Sequence, residues 1–317
     1  MSAVVNDSGP DAGAPLHYGD PLREQRWLEA GEASVDLGHR PVFSVAGADR
    51  LTWLHALTSQ KLDDLAPGVW TTALILDPNG RIEHVFGGVD DGETFWASTE
   101  PDRLEALLGW LDRMRFASRV ELADRSATHA MIVAPGEDAD GAAGSAGVGP
   151  RIVERSALDA ALGERRAGTW ASEAVRIASG QPRIFLDTDE RTIPNEIAVP
   201  VGHRLGAAVH LAKGCYRGQE TVARVHTLGR PPRRLTLLHL DGSAGDLPEV
   251  GAELTLGGRV VGRVGTSAHH HELGPIALGL VKRNVPLDAA LQAGPVAASQ
   301  EAVVDPEVGM HVRPKLG

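Results

Sequence analysis

The amino-acid sequence predicts an α+β protein that ends in a small all-β domain. Two observations carry that expectation. Up to about residue 230, helical apolar stripes alternate with strands joined by tight turns. From residue 233 the texture changes to short alternating strands punctuated by glycine, with no helical pattern between them. A chain of 317 residues suits two or three domains, and no repeat of 20–50 residues interrupts this reading.

The elements follow in order. Residues 1–17 are small, polar and rich in Pro and Gly, and read as a disordered lead-in. Asp20-Pro21 supplies a cap and a first-turn proline for a helix that Gly31 follows. Alternation predicts strands at 33–38 and 41–46, and Leu51, Leu54 and Leu57 predict a helix over 49–58. Residues 68–76 read as a buried strand, Asp77-Pro78-Asn79-Gly80 as a turn, and 81–89 and 93–98 as the rest of a meander. Leu104, Leu107, Leu108 and Leu111 make one stripe on a helix over 101–115. Strands are expected at 118–124 and 127–134, a flexible low-complexity loop at 135–150, and helical stretches at 156–167 and 171–178. RLTLLHL (234–240), AELTL (252–256), GRVVGRVGTSA (258–268) and IALGLVKR (276–283) supply strands for a barrel or sandwich. The expected domains are therefore an α+β region over 18–232, which the family resemblance described below divides into two lobes, and a β-domain over 233–317.

Composition narrows the function. Lys and Arg number 31 against 42 Asp and Glu, a net charge of −11, so a broad non-specific nucleic-acid surface is not expected. The single cysteine excludes an internal disulfide and any multi-cysteine metal site built from this chain alone, and a lone thiol fits a reducing compartment. No stretch has the length and apolarity of a membrane span or a signal peptide, which points to a cytoplasmic protein.

The chemistry concentrates in Lys213-Gly214-Cys215-Tyr216-Arg217-Gly218-Gln219-Glu220. Two glycines bracket the thiol and allow unusual backbone. Lys213 and Arg217 lie close enough in sequence to favour a thiolate, and Gln219-Glu220 can open a helix. This describes a functional thiol at Cys215; a small inert core cysteine beside a structural turn is the alternative. Residues 203–234 hold Arg204, Lys213, Arg217, Arg224, Arg230, Arg233 and Arg234 against Glu220 alone. That contrast suggests an anion site, or a face whose acidic partners come from elsewhere. Pro194-Asn195-Glu196 presents a carboxylate able to accept from a heterocycle, or to cap a turn or pair with an arginine. His269-His270-His271 looks like a metal tract, but neighbours on a strand point to opposite faces, so a solvated loop is expected and no metal site. No G-x-S-x-G elbow or phosphate loop is present.

KGCYRGQETVARVHTLGRPPRRL (213–235) resembles the signature of the YgfZ-type folate-binding proteins, relatives of the glycine-cleavage T-protein. GADRLTWLHALTSQKL (47–62), LDPNGRI (76–82) and RIASGQPRIFLDTDERTIPNEIAV (176–199) resemble other segments of that family in the same order. The resemblance covers roughly residues 20–285. It implies T-protein-like lobes with a C-terminal β-barrel and a channel for tetrahydrofolate or a derivative. Glu196 takes the position of the glutamate that holds the pterin, and Arg224 and Arg230 are candidates for the folate tail. Lys213, Gly214, Cys215, Tyr216, Gly218, Gln219 and Glu220 form the motif.

One departure bears on activity. The T-protein strand carries an acidic pair, whereas this chain reads Gly80-Arg81-Ile82-Glu83-His84-Val85. Without that acid, aminomethyl transfer is poorly supported. The resemblance therefore implies a folate-dependent accessory factor for assembly or repair of iron–sulfur clusters, its clients including tRNA-modifying enzymes. A one-carbon transferase, with Glu83 or His84 replacing the aspartate, is the alternative. A tRNA-binding module using 203–234 is a weaker third.

Overall fold

The computed structural model describes residues 2–136, 148–197, 208–227 and 229–307. The chain divides into two compact units. The first comprises 1–75, 84–173 and 202–216; the second comprises 76–83, 174–201 and 217–317.

The first unit is built on a five-stranded sheet of order Trp70–Leu76, Ile82–Asp90, Thr94–Ser98, Val42–Ala46, Glu121–Asp124. Helices Arg50–Leu57 and Leu104–Arg113 supply Trp53, Leu54, Leu107 and Leu111 to a core with Phe43, Val45, Phe86 and Phe95. The leucine stripe read from the sequence thus lies on the core side. The second helix starts at Leu104 rather than 101, after Asp102 takes a left-handed φ of 62°. A four-stranded sheet of order Val148–Glu154, His129–Pro135, Ser34–Asp36, Arg166–Ala167 completes the unit.

Several local expectations change. The lead-in 1–17 carries a two-stranded ladder between Val4–Val5 and Pro15–His17, and Asn6 Nδ2 donates to Thr169 Oγ1 at 2.8 Å. Composition misled there because backbone pairing needs no apolar side chains. The loop expected at 135–150 is shorter, since Val148 pairs with Pro135 and Val148–Glu154 is a strand; 137–147 lie outside the described residues. The helix expected over 156–167 is confined to Leu158–Leu162, stopped by Gly163 at a φ of 64°.

The second unit holds a closed six-stranded antiparallel barrel. Its order is Arg233–Leu240, Gly274–Lys282, Arg259–His270, Glu253–Leu256, Leu291–Ala293, Val296–Ala302, returning to the first. Closure leaves no unpaired edge. Leu238, Leu240, Val264, Val281 and Leu291 fill the interior. His270 is not in a solvated loop: it is 6% exposed, and its Nδ1 accepts from the N–H groups of Glu272 and Leu273 at 3.2 Å each. Among the described residues, no helix is long and apolar enough to cross a membrane.

Candidate functional site

Three stretches distant in sequence meet within the second unit: the hairpin tip Leu76–Glu83, the run 187–196, and the entry to helix Gln219–Thr227. Asp77 builds the tip, its Oδ1 accepting from the N–H groups of Asn79 and Arg81 at 2.8 Å each. The turn places Gly80 at a φ of 81°, where a Cβ would stand 2.8 Å from Thr221 Cβ. Gly218, at a φ of 79°, meets it from the helix side; a Cβ there would lie 2.6 Å from Asp77 O. Turn backbone and helix entry therefore touch, and glycine is required at both places. Gly214 has no left-handed φ and nothing within 4 Å of a Cβ, so the expectation of special backbone on both sides of the thiol holds at Gly218 alone.

Polar contacts join the same stretches. Arg217 Nη1 donates to Glu83 Oε2 at 2.7 Å, Ile82 N–H to Thr192 O at 3.0 Å, and Asn195 Nδ2 to Val222 O at 3.4 Å.

Two clamps hold the run 187–196: Asp187 on Arg176 and on Thr266 of the barrel, and Arg233 of the barrel on Asp189 and Glu196. Asp187 is fully buried; its Oδ1 accepts from Thr266 N–H at 2.6 Å and Thr266 Oγ1 at 2.7 Å. Its Oδ2 accepts from Arg183 N–H at 2.7 Å and Arg176 Nη1 at 2.9 Å. Arg233 then grips two further carboxylates. It donates to Asp189 from Nη1 at 2.6 Å and from Nη2 at 3.0 Å. It donates to Glu196 from Nε at 2.8 Å and from Nη2 at 2.9 Å. Burial pushes Asp189 upward, but the bonds from Arg233 and Thr192 outweigh it and hold the carboxyl at about 2.

Glu196 thus plays the arginine-pairing part that its tripeptide allowed. Its Oε2 also accepts from Ile193 N–H at 3.1 Å, which caps the turn, and the residue is fully buried. Of the roughly four acceptor positions on a carboxylate, three are filled. Asn195 is different. Among the described residues of these stretches, its Oδ1 is the one buried side-chain polar atom without a hydrogen-bond partner.

In the first unit, Lys213 is only 6% exposed and caps the C-terminal turn of helix Arg50–Leu57. Its Nζ donates to the carbonyl oxygens of Thr58 at 2.5 Å, Gln60 at 3.1 Å and His55. Burial lowers its pKa to about 8. Nζ also sits 5.1 Å from the ring centroid of Tyr216, whose hydroxyl burial raises to about 12. Cys215 is exposed, which removes the reading of an inert core cysteine. The cations expected to activate it are engaged elsewhere, Lys213 on carbonyls and Arg217 on Glu83.

Gln219 and Glu220 open the helix as expected. The basic stretch, however, finds its acidic partners: Arg217 with Glu83, Arg224 with Glu220, Arg230 with Glu307, and Arg233 with Asp189 and Glu196. Arg234 is buried on the carbonyls of Lys282, Arg283 and Val285 and on Gln300 Oε1. Arg204 lies outside the described residues. On a chain with surplus acid the local charge is largely neutralised. The pairs at Arg224 and Arg230 are exposed, so they are weak and exchangeable.

Asp187 and Asp189 were not singled out by sequence reasoning, Arg233 was read only as one cation of the basic stretch, and Asn195 only as the neighbour of Glu196. The only signal for the two aspartates was the density of charge in Leu186-Asp187-Thr188-Asp189-Glu190-Arg191 opposite a strand opening with two arginines.

These features can be set beside known proteins. The glycine cleavage system aminomethyltransferase T from Bartonella henselae superposes with a TM-score of 0.74, over 95% of this chain and 93% of that one, at 17% identity. The chain therefore has the T-protein fold, a mixed α/β body with a closed barrel toward the C-terminus. A chloroplastic protein of Arabidopsis thaliana, provisionally named a transferase, is 24% identical over 297 residues. That match covers 81% of this chain and 66% of the relative, so the chain spans just under two thirds of the relative's length. No family model matches the chain.

Proposed function

We propose that the chain is a tetrahydrofolate-binding accessory protein of YgfZ type that supports assembly or repair of iron–sulfur clusters in client enzymes, tRNA-modifying enzymes among them. The observation that carries the reading is the gathering, in one unit of a T-protein fold, of residues 76–82, the run 187–196 and the part of the motif segment from Arg217 on. The residues fit a reduced pterin in one testable respect. A buried acceptor lacking a donor, Asn195 Oδ1, belongs to the residue before Glu196 on the same turn, and a pterin edge offers N–H donors. Arg224 and Arg230 hold only exposed glutamates, which a folate tail carboxylate can replace at little cost. Bound here, the folate supplies a one-carbon carrier. Cys215, exposed in its Lys213–Glu220 motif, is the group we assign to thiol or cluster chemistry on the client.

The absence of an acidic pair at 83–85 weighs against aminomethyl transfer. Glu83 is engaged by Arg217, and the ring of His84 lies 6.1 Å from that of Trp110. The transferase alternative predicts methylene-tetrahydrofolate formation from an aminomethyl-lipoyl carrier, lost in Glu83→Gln or His84→Ala.

A strain lacking the protein, complemented with wild type or Cys215→Ala, tests the accessory role. The activity of a [4Fe–4S] enzyme under oxidative stress should recover with wild type only. Full recovery with Cys215→Ala removes the thiol from the function.

A further inference from the structure

We infer that Asn195 is the residue that reads the pterin, and that Glu196 is a positioning residue locked by Arg233. This rests on the folate reading and assigns its recognition chemistry. Glu196 has one acceptor position left after Arg233 Nε, Arg233 Nη2 and Ile193 N–H are counted, and no exposed surface. Arg233, shared with Asp189, also offsets part of its charge. A carboxylate held in this way is a buttress for the turn Pro194–Glu196, because losing it would leave a buried guanidinium half-paired.

Asn195 sits on the same turn with the opposite accounting. Its Nδ2 is oriented by Val222 O at 3.4 Å, and the reversed amide would bring two oxygens together. The orientation therefore presents Oδ1 as an acceptor, buried and without a partner. An unpaired buried acceptor costs about 1–3 kcal/mol, and a ligand N–H recovers that cost. The amide oxygen calls for an N–H donor, which the exocyclic amino group on the pyrimidinone edge supplies. A site built to pair a ligand N–H discriminates against analogues lacking it, since the protein group is again left unpaired.

The test is a two-by-two cycle measured by equilibrium titration. Wild type and Asn195→Leu are each titrated with tetrahydrofolate and with its 2-desamino analogue. Both proteins are first checked for equal thermal melting. Asn195→Leu should weaken tetrahydrofolate by roughly ten- to a hundredfold. Wild type should discriminate against the analogue by a similar factor, and Asn195→Leu should not discriminate at all. Equal discrimination by the two proteins overturns the assignment to Asn195 while leaving folate binding intact. Failure of wild type to bind tetrahydrofolate overturns the folate reading and this inference with it. If Asn195→Leu melts low, Asn195→Ser replaces it and the same coupling decides.

Discussion

Gly214 and Gly218 flank the thiol symmetrically in sequence but not in space. Gly218 combines a left-handed φ with Asp77 O at 2.6 Å from a would-be Cβ, whereas Gly214 meets nothing. Gly218→Ala should therefore cost about 1–3 kcal/mol in denaturant unfolding, and Gly214→Ala at most about 0.5 kcal/mol. Equal costs would mean that turn and helix entry do not touch. Lys213 makes a similar point about charge. A lysine near a cysteine suggests thiolate activation, yet this one satisfies three carbonyls at a helix end. Lys213→Met removes that shared donor and should destabilise the protein by about 1–3 kcal/mol in denaturant unfolding. Cys215, being exposed, should be alkylated by iodoacetamide in the native protein at a rate close to that in the unfolded chain. Strong native protection would contradict its placement.

The run 187–196 has little regular structure and depends on two arginine clamps. Its acid sensitivity follows from Asp189. The folded carboxyl titrates at about 2 and the unfolded one at 3.8. Above 3.8 both forms are ionised and the clamp contributes fully. As pH falls from 3.8 toward 2 the unfolded chain takes the proton first, and that contribution is lost. Melting temperatures measured from pH 5 to pH 2 should fall more steeply for wild type than for Asp189→Asn; parallel curves would exclude the clamp. This run also marks the limit of what the sequence conveyed. Helix Pro21–Glu29 was legible from Asp20, whose side chain accepts from Arg23 N–H, and Leu104–Arg113 from its leucine stripe. The barrel strands were legible from alternation and glycine, although Leu291–Ala293 and Val296–Ala302 were not foreseen. The Arg233 clamp was not legible because its partners are distant: Arg233 is 37 residues from Glu196 and 44 from Asp189. The ladder near the N-terminus was hidden by polar side chains whose backbone nonetheless pairs.

Across the whole molecule, charge and architecture point the same way. Glu83, Glu307, Asp189 and Glu196, all outside the basic stretch, pair with three of its arginines, so charge read along 203–234 overstates the field at the surface. Tertiary neutralisation of this kind cannot be seen in a linear sequence. The T-protein fold was legible because several motifs occurred in the right order, and the superposition over 95% of the chain agrees. A folate site also sets a thermodynamic demand. A ligand that binds only the folded chain must stabilise it, by about 2.7 kcal/mol at a free concentration near 100 times its dissociation constant.

Calorimetric titration of the wild-type protein with tetrahydrofolate, run beside p-aminobenzoylglutamate, tests that demand most directly. The account predicts saturable binding of one tetrahydrofolate per chain and a matching rise in melting temperature, neither of which the pterin-free tail reproduces. No heat of binding and no shift in melting with tetrahydrofolate, or equal effects from the tail alone, would contradict it.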